Sequence, residues 1–171
     1  MSTPFEIHIT GDSSILYHAD KLGIKTISVK LLAPDMSEMV IEDMTSYVLK
    51  SNKYEHVLEM VLNTVLKLTQ AGVHISRVKI ECPYLQEYIP QSIYLESHWQ
   101  IEGIPTDRQF PISQNIRKLN KYMATDRTYH RDNYVAFKEK YKDVVTELCL
   151  FDTNIGGDLA WFEAYGMSIK N

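Results

Sequence analysis

Two short segments of the chain share a Glu-x-His pattern whose residue types suit acid-base chemistry. Each copy places a glutamate, a histidine and a third polar residue two positions apart, at Glu6, His8 and Thr10, and at Glu96, His98 and Gln100. Residues two apart on a strand share a face, so each triplet projects together. Two imidazoles that titrate near neutral pH can divide proton transfer on a phosphodiester, one as base and the other as acid. We therefore predict His8 and His98 as a catalytic pair.

Polar neighbours of these histidines have groups that suit a phosphate. The hydroxyl of Thr10 and the amide of Gln100 can hydrogen-bond to phosphate oxygens. Negative charge that develops on the phosphate could be neutralised by basic side chains. The candidates are Arg77, Lys79 and Arg117. The pattern favours a small phosphorylated or nucleotide-like ligand, held in a cleft between two lobes and hydrolysed without a metal or other cofactor.

Two other interpretations of the same residues stay open. A metal-binding protein would coordinate Zn, Mn, Fe or Ni through two carboxylates and two imidazoles. These ligands would be Glu6, His8, Glu96 and His98. A non-enzymatic module would sequester a nucleotide or dock a protein without opposed histidines. A solvated sheet face also alternates Glu, His and Thr with no function at all.

The two histidine segments resemble the two-histidine phosphoesterase superfamily, in which each lobe of a duplicated α+β fold carries His-x-Thr or His-x-Ser. His8-Ile9-Thr10 matches this motif, whereas His98-Trp99-Gln100 has an amide at the hydroxyl position. The resemblance implies metal-independent hydrolysis of a cyclic or 2′-linked phosphodiester.

Several blocks also resemble a group of uncharacterised bacterial or phage proteins. The blocks are Arg77 to Glu81, Glu96 to His98, Ser113 to Asn115, and Asp152 to Asn154 followed by Asp158 and Trp161. This resemblance implies a discrete family fold and no particular chemistry.

Hydrophobic periodicity predicts the elements that position these residues. Period-two segments predict strands near 5–10, 25–32, 39–49, 76–82, 93–102, 121–130 and 144–152. Spacings of three and four predict a helix over 53–71 that ends at Gly72. Shorter helices are expected from Asp12 to Leu22, ending at Gly23, and from Asp132 to Lys142, with a helix or irregular crossover over 106–120.

The two halves follow a similar order of elements, which predicts an internal duplication. We expect a single α+β domain over 1–171, built of duplicated βαβ-type modules with a mostly antiparallel sheet and a central polar cleft. The predicted repeats cover 1–83 and 92–152, and a tail at 153–171 packs through Trp161 and Phe162.

Composition limits the partners and the location of the protein. With 171 residues and a net charge of -4, the chain has little long-range attraction for duplex DNA or an anionic membrane. No apolar run is long enough to span a bilayer or to direct secretion. Cys82 and Cys149 lie in apolar strands, which predicts buried reduced thiols in a cytoplasmic protein.

Overall fold

The computed structural model describes residues 2–32, 39–103, 110–118, 121–129, 133–144, 146–155 and 164–165. Within these ranges the helices are α1 (Ile15–Lys21), α2 (Tyr54–Gln70) and α3 (Tyr134–Lys140), and a 3₁₀ turn covers Gln86–Gln91. The strands are β1 (Thr3–Gly11), β2 (Thr26–Leu32), β3 (Met39–Thr45), β4 (Tyr47–Ser51), β5 (Ile75–Pro83), β6 (Tyr94–Ile101), β7 (Ile112–Asn115), β8 (Tyr122–Thr128) and β9 (Thr146–Asn154).

The chain divides into two compact units that each combine separate stretches of sequence. The first unit contains the described residues of Met1–Ile27, Asp43–Ile80 and Phe151–Asn171. The second unit contains those of Ser28–Glu42 and Glu81–Leu150. The predicted repeats at 1–83 and 92–152 have different boundaries, and the duplication stays a prediction.

The core of the first unit forms where β1 meets α2. Phe5, Ile7 and Ile9 alternate along β1 and are fully buried, and β1 pairs antiparallel with β4. Helix α2 contacts both strands through the apolar side of its surface, which includes the buried residues Val57, Val61, Leu62, Val65 and Leu68. Each such side chain contributes about 1.5–3 kcal/mol on burial, so this contact is a main source of the unit's stability.

The second unit is built on antiparallel pairs in the order β2-β7-β8-β6-β9. β6 pairs with β8 from Leu95 opposite Thr128 to Ile101 opposite Tyr122. One face of β6 contacts the residue that follows α3, because the Trp99 ring stacks on Tyr141 with 5.6 Å between centroids. β6 therefore lies between two strands, with an aromatic contact on one face.

The predicted α+β fold of duplicated βαβ-type modules is wrong, because the protein is mostly antiparallel β-structure. Every strand pair with a described register is antiparallel, whereas a βαβ module joins parallel strands through a helix. Alternation identifies a strand from local sequence. The direction of its partner depends on long-range pairing, which the local pattern does not contain.

Two predicted elements need correction. The single strand predicted over 39–49 is two strands, β3 and β4, which separate at Ser46, whose N–H donates to the carbonyl of Lys25 at 2.8 Å. The crossover predicted over 106–120 contains strand β7. Ile112 and Gln114 are buried there and alternate with less buried residues. This short alternation over four residues is sufficient for a strand of the sheet.

Other predictions agree with the structure. Helix α2 occupies the predicted segment, and Gly23 and Gly72, the residues expected to end α1 and α2, both have positive φ. Cys82 and Cys149 are buried thiols. Asp132, Trp161 and Phe162, for which a helix cap and tail packing are predicted, lie outside the described residues.

A membrane-spanning helix would have to combine length with apolar character. No helix in the described part of the chain does so.

Candidate functional site

Strand β6 carries the second Glu-x-His pattern. Its register places Glu96 opposite Arg127 of β8 and His98 opposite Thr125. Register partners in an antiparallel pair project to the same face. These four side chains therefore form a polar group on one face of β6 and β8.

The Glu96 side chain is completely buried, and both of its oxygens have partners. Oε1 lies 2.6 Å from Nε2 of His98, and the Nε–H of Arg127 donates to Oε2. Removal of a carboxylate from water is costly unless charged or hydrogen-bonding groups replace the solvent. Glu96 is thus held in one orientation by two nitrogen groups.

The imidazole of His98 is oriented from its other side as well. Its Nδ1 lies 2.8 Å from Oγ1 of Thr125, and 28% of its side chain is exposed. A hydrogen bond to one ring nitrogen fixes the ring plane and influences which nitrogen carries the proton. Because the Glu96 carboxylate only accepts, a proton on Nε2 satisfies the contact with Oε1, whereas a cation at Nε2 requires that proton on Nδ1, where Thr125 can accept it.

Glu81 of β5 joins this group from a different strand. The residue is 2% exposed. One ligand atom each from Glu81, Glu96 and His98 lie within 4.8 Å of one another. Two buried carboxylates and an imidazole therefore converge on one point, with donors that Zn²⁺, Mn²⁺ and Fe²⁺ accept.

Further negative charge lies near these ligands. Glu147 of β9 is the register partner of Glu96. Burial and then the charges of Glu147, Glu81 and Glu87 raise the pKa of the Cys82 thiol to about 12. Three acidic side chains, Glu147, Glu81 and Glu87, therefore act on the Cys82 thiol.

One basic side chain balances part of that charge. Arg127 pairs with Glu96 and keeps 35% of its side chain exposed. Lys79, on the part of β5 that belongs to the first unit, is 8% exposed.

The first Glu-x-His pattern has a different environment in the first unit. Nε2 of His8 lies 3.4 Å from Oε1 of Glu6, whose side chain is 38% exposed. The His8 Nδ1 lies 3.2 Å from the backbone carbonyl of Thr45. The carbonyl and the Glu6 carboxylate both only accept, so each contact requires a proton on the ring nitrogen that makes it.

The predicted polar neighbours of the histidines differ in burial. Thr10 is 6% exposed, and its carbonyl accepts from the Ser76 hydroxyl at 3.2 Å. Gln100 is exposed on the same face of β6 as His98. Their roles as phosphate ligands stay a prediction.

The predicted basic ligands also lie in different settings. The guanidinium of Arg77 donates from Nε and Nη2 to the two Asp152 oxygens, at 2.8 and 2.6 Å. Arg117 is exposed and lies just after β7. The phosphate roles of Arg77, Lys79 and Arg117 stay predictions.

Sequence reasoning missed three members of the polar group, Glu81, Thr125 and Arg127. Glu81 follows Arg77 and Lys79 in an alternation that also fits a solvated strand face. Thr125 and Arg127 share a face of a predicted strand, but only the β6–β8 register brings them opposite His98 and Glu96. Local alternation carries no signal for such a register.

Comparisons of the chain with protein-family models, with curated proteins and with solved structures gave no significant match.

Proposed function

We propose that the second unit binds one divalent first-row transition-metal ion through Glu81, Glu96 and His98. The observation that carries this proposal is the convergence of their ligand atoms within 4.8 Å of one another. Both carboxylates are buried, and a bound cation stabilises a buried carboxylate.

The neighbours of the ligands support a defined coordination geometry. Arg127 holds Oε2 of Glu96 and leaves Oε1 on the side of His98. Thr125 contacts Nδ1 of His98, which leaves Nε2 as the ligand nitrogen. Such outer contacts orient metal ligands and commonly change metal affinity by about 10- to 100-fold.

The ligand types limit which ion fits. Carboxylates alone suit Mg²⁺ and Ca²⁺, whereas an imidazole shifts the preference towards Zn²⁺, Mn²⁺ and Fe²⁺. Three protein ligands leave at least one coordination position for water or another small ligand. The proposed centre can therefore take an additional ligand from solution.

Hydrolysis through His8 and His98, which belong to different units, stays a sequence-based prediction. That mechanism needs no metal and should be insensitive to a chelator. A chelator experiment with cyclic nucleotides therefore separates it from any metal-dependent activity.

The proposal can be tested by isothermal titration calorimetry of the apo protein with Zn²⁺, Mn²⁺ and Mg²⁺. We expect one site that prefers Zn²⁺ or Mn²⁺ to Mg²⁺. Glu81→Gln and His98→Ala should each weaken binding by at least about 100-fold, because each removes a direct ligand, which we expect to cost at least as much as an outer-shell contact. His56→Ala, which removes an exposed histidine of α2, should leave the affinity unchanged.

His8→Ala gives a further control. If the metal is bound by Glu81, Glu96 and His98, this variant should keep the wild-type metal affinity. If the ligands are instead Glu6, His8, Glu96 and His98, it should lose as much metal affinity as His98→Ala. Retention of wild-type affinity in His98→Ala would contradict the proposal. Circular dichroism of each variant checks that the fold is retained.

A further inference from the structure

Two tyrosines continue the polar face of β6 and β8 beyond the proposed metal ligands. The rings of Tyr94 and Tyr129 lie 5.0 Å apart between centroids. Tyr94 is 2% exposed, whereas Tyr129 is 60% exposed. The buried ring supports the exposed one, and the pair leaves an aromatic surface open to solvent.

Arg127 lies between this aromatic pair and the ligand set. Its guanidinium carbon lies 5.2 Å from the centre of the Tyr94 ring, and its Nε–H donates to Glu96. The guanidinium is thus fixed by a carboxylate and an aromatic ring while 35% of the side chain remains exposed. An arginine oriented in this way is suited to phosphate.

We propose that this face binds a mononucleotide, with its phosphate at the metal ion and Arg127 and its base on the Tyr129 ring. The inference rests on the proposed metal site. Tyr94 and Glu96 are two residues apart on one strand, which separates them by roughly 7 Å. A ribose can bridge phosphate and base over such a spacing.

The adjacent aromatic ring is what distinguishes a nucleotide from a simple phosphate. Base stacking on an exposed aromatic side chain is favourable for every base, because each has a π-face. A polynucleotide is less favoured as the ligand, because the chain's net charge of -4 gives no long-range attraction to a polyanion.

The test compares AMP with ribose 5-phosphate by calorimetry in the presence of saturating Mn²⁺. We expect AMP to bind the wild-type protein roughly tenfold or more tightly, because only AMP can stack. Tyr129→Ala should reduce AMP affinity to that of ribose 5-phosphate, whereas Tyr129→Phe should keep it. Tyr17→Ala is the matched control, because Tyr17 is 59% exposed on α1 of the first unit.

Three results would overturn this inference. The first is equal affinity for AMP and ribose 5-phosphate, and the second is unchanged AMP binding in Tyr129→Ala. The third is tighter binding of a single-stranded oligonucleotide than of AMP. Titration of Mn²⁺ alone separates the two proposals. Normal Mn²⁺ binding without a preference for AMP would contradict only the nucleotide proposal. Absence of Mn²⁺ binding would contradict both proposals.

Discussion

The two Glu-x-His segments have nearly the same local sequence and different environments. In the second unit, Glu96 is fully buried and is held by Arg127 and His98. In the first unit, Glu6 is 38% exposed and lies at the longer distance of 3.4 Å from His8. The same motif thus has a fully buried carboxylate in the second unit and a partly solvated one in the first.

The contacts of the two imidazoles differ in a second way. His8 places Nδ1 against a backbone carbonyl, which can only accept. His98 places Nδ1 against the Thr125 hydroxyl, which can accept or donate. The partner at Nδ1 is therefore compatible with either tautomer of His98, whereas the partner at Nδ1 of His8 is compatible only with a proton on that nitrogen.

The largest expected effect is on stability, and it tests the difference in burial. Glu96→Ala removes the partner of both Arg127 and His98 and should lower the free energy of unfolding of the metal-free protein by about 3 kcal/mol. Glu6→Ala should cost less than about 1 kcal/mol, because its ion pair is partly solvated. Urea denaturation of both variants measures the two losses, and equal losses would contradict the comparison.

A smaller effect is expected from the residue that orients His98. Thr125→Val removes the hydroxyl at Nδ1 and should weaken Zn²⁺ binding by roughly 10-fold, since it is an outer contact of a ligand. Thr125→Ser keeps the hydroxyl and should stay near the wild-type affinity. Calorimetry with Zn²⁺ measures both, and a similar loss in the two variants would contradict a role for the Thr125 hydroxyl.

Thr45→Ser provides a comparison in the first unit. It keeps the hydroxyl that accepts from the N–H of Ile9 and also keeps the carbonyl that faces His8. Metal affinity should not change in this variant. A loss equal to that of Thr125→Val would contradict this expectation.

A further effect, confined to alkaline pH, concerns Cys82 and the acidic side chains around it. Its pKa is raised to about 12 in the folded protein, against 9.0 for an ordinary thiol. The folded state then keeps its proton where the unfolded state loses it, so this contribution is present below about pH 9 and is lost as the pH rises towards 12. The loss is at most about 1.4 kcal/mol per pH unit.

Cys82→Ala and Cys82→Val both remove this titration while they change the packing differently. Each should show a shallower fall in unfolding free energy than the wild type between about pH 9 and pH 11. Urea denaturation over this range gives the slopes. A slope identical to that of the wild type in both variants would show that the Cys82 thiol does not carry the effect.

Local sequence was sufficient for some parts of the fold. The alternation of Phe5, Ile7 and Ile9 correctly identified β1, and the spacing of apolar residues identified α2, because both patterns follow from contact with a single apolar core. The strand partners were not predictable in this way. Each antiparallel pair joins segments whose register depends on the whole sheet.

The candidate site was only partly visible for the same reason. Glu96 and His98 were selected from their spacing, but the alternation around them also describes a sheet with one solvated face. Leu95, Glu96 and Ser97 are all fully buried, so both faces of β6 are covered at this point. Only the three-dimensional structure shows that the buried Glu81 side chain lies close to Glu96 and His98.

X-ray absorption spectroscopy of the Zn²⁺-loaded protein tests the central claim most directly, because it reports the ligand atoms themselves. We predict one imidazole and oxygen ligands at about 2.0–2.2 Å, with no sulfur at about 2.3 Å. The imidazole signal should disappear in His98→Ala and persist in His8→Ala, each measured at a Zn²⁺ concentration that keeps the site loaded. An imidazole signal that persists in His98→Ala, or a sulfur ligand in the wild type, would contradict a metal centre at Glu81, Glu96 and His98.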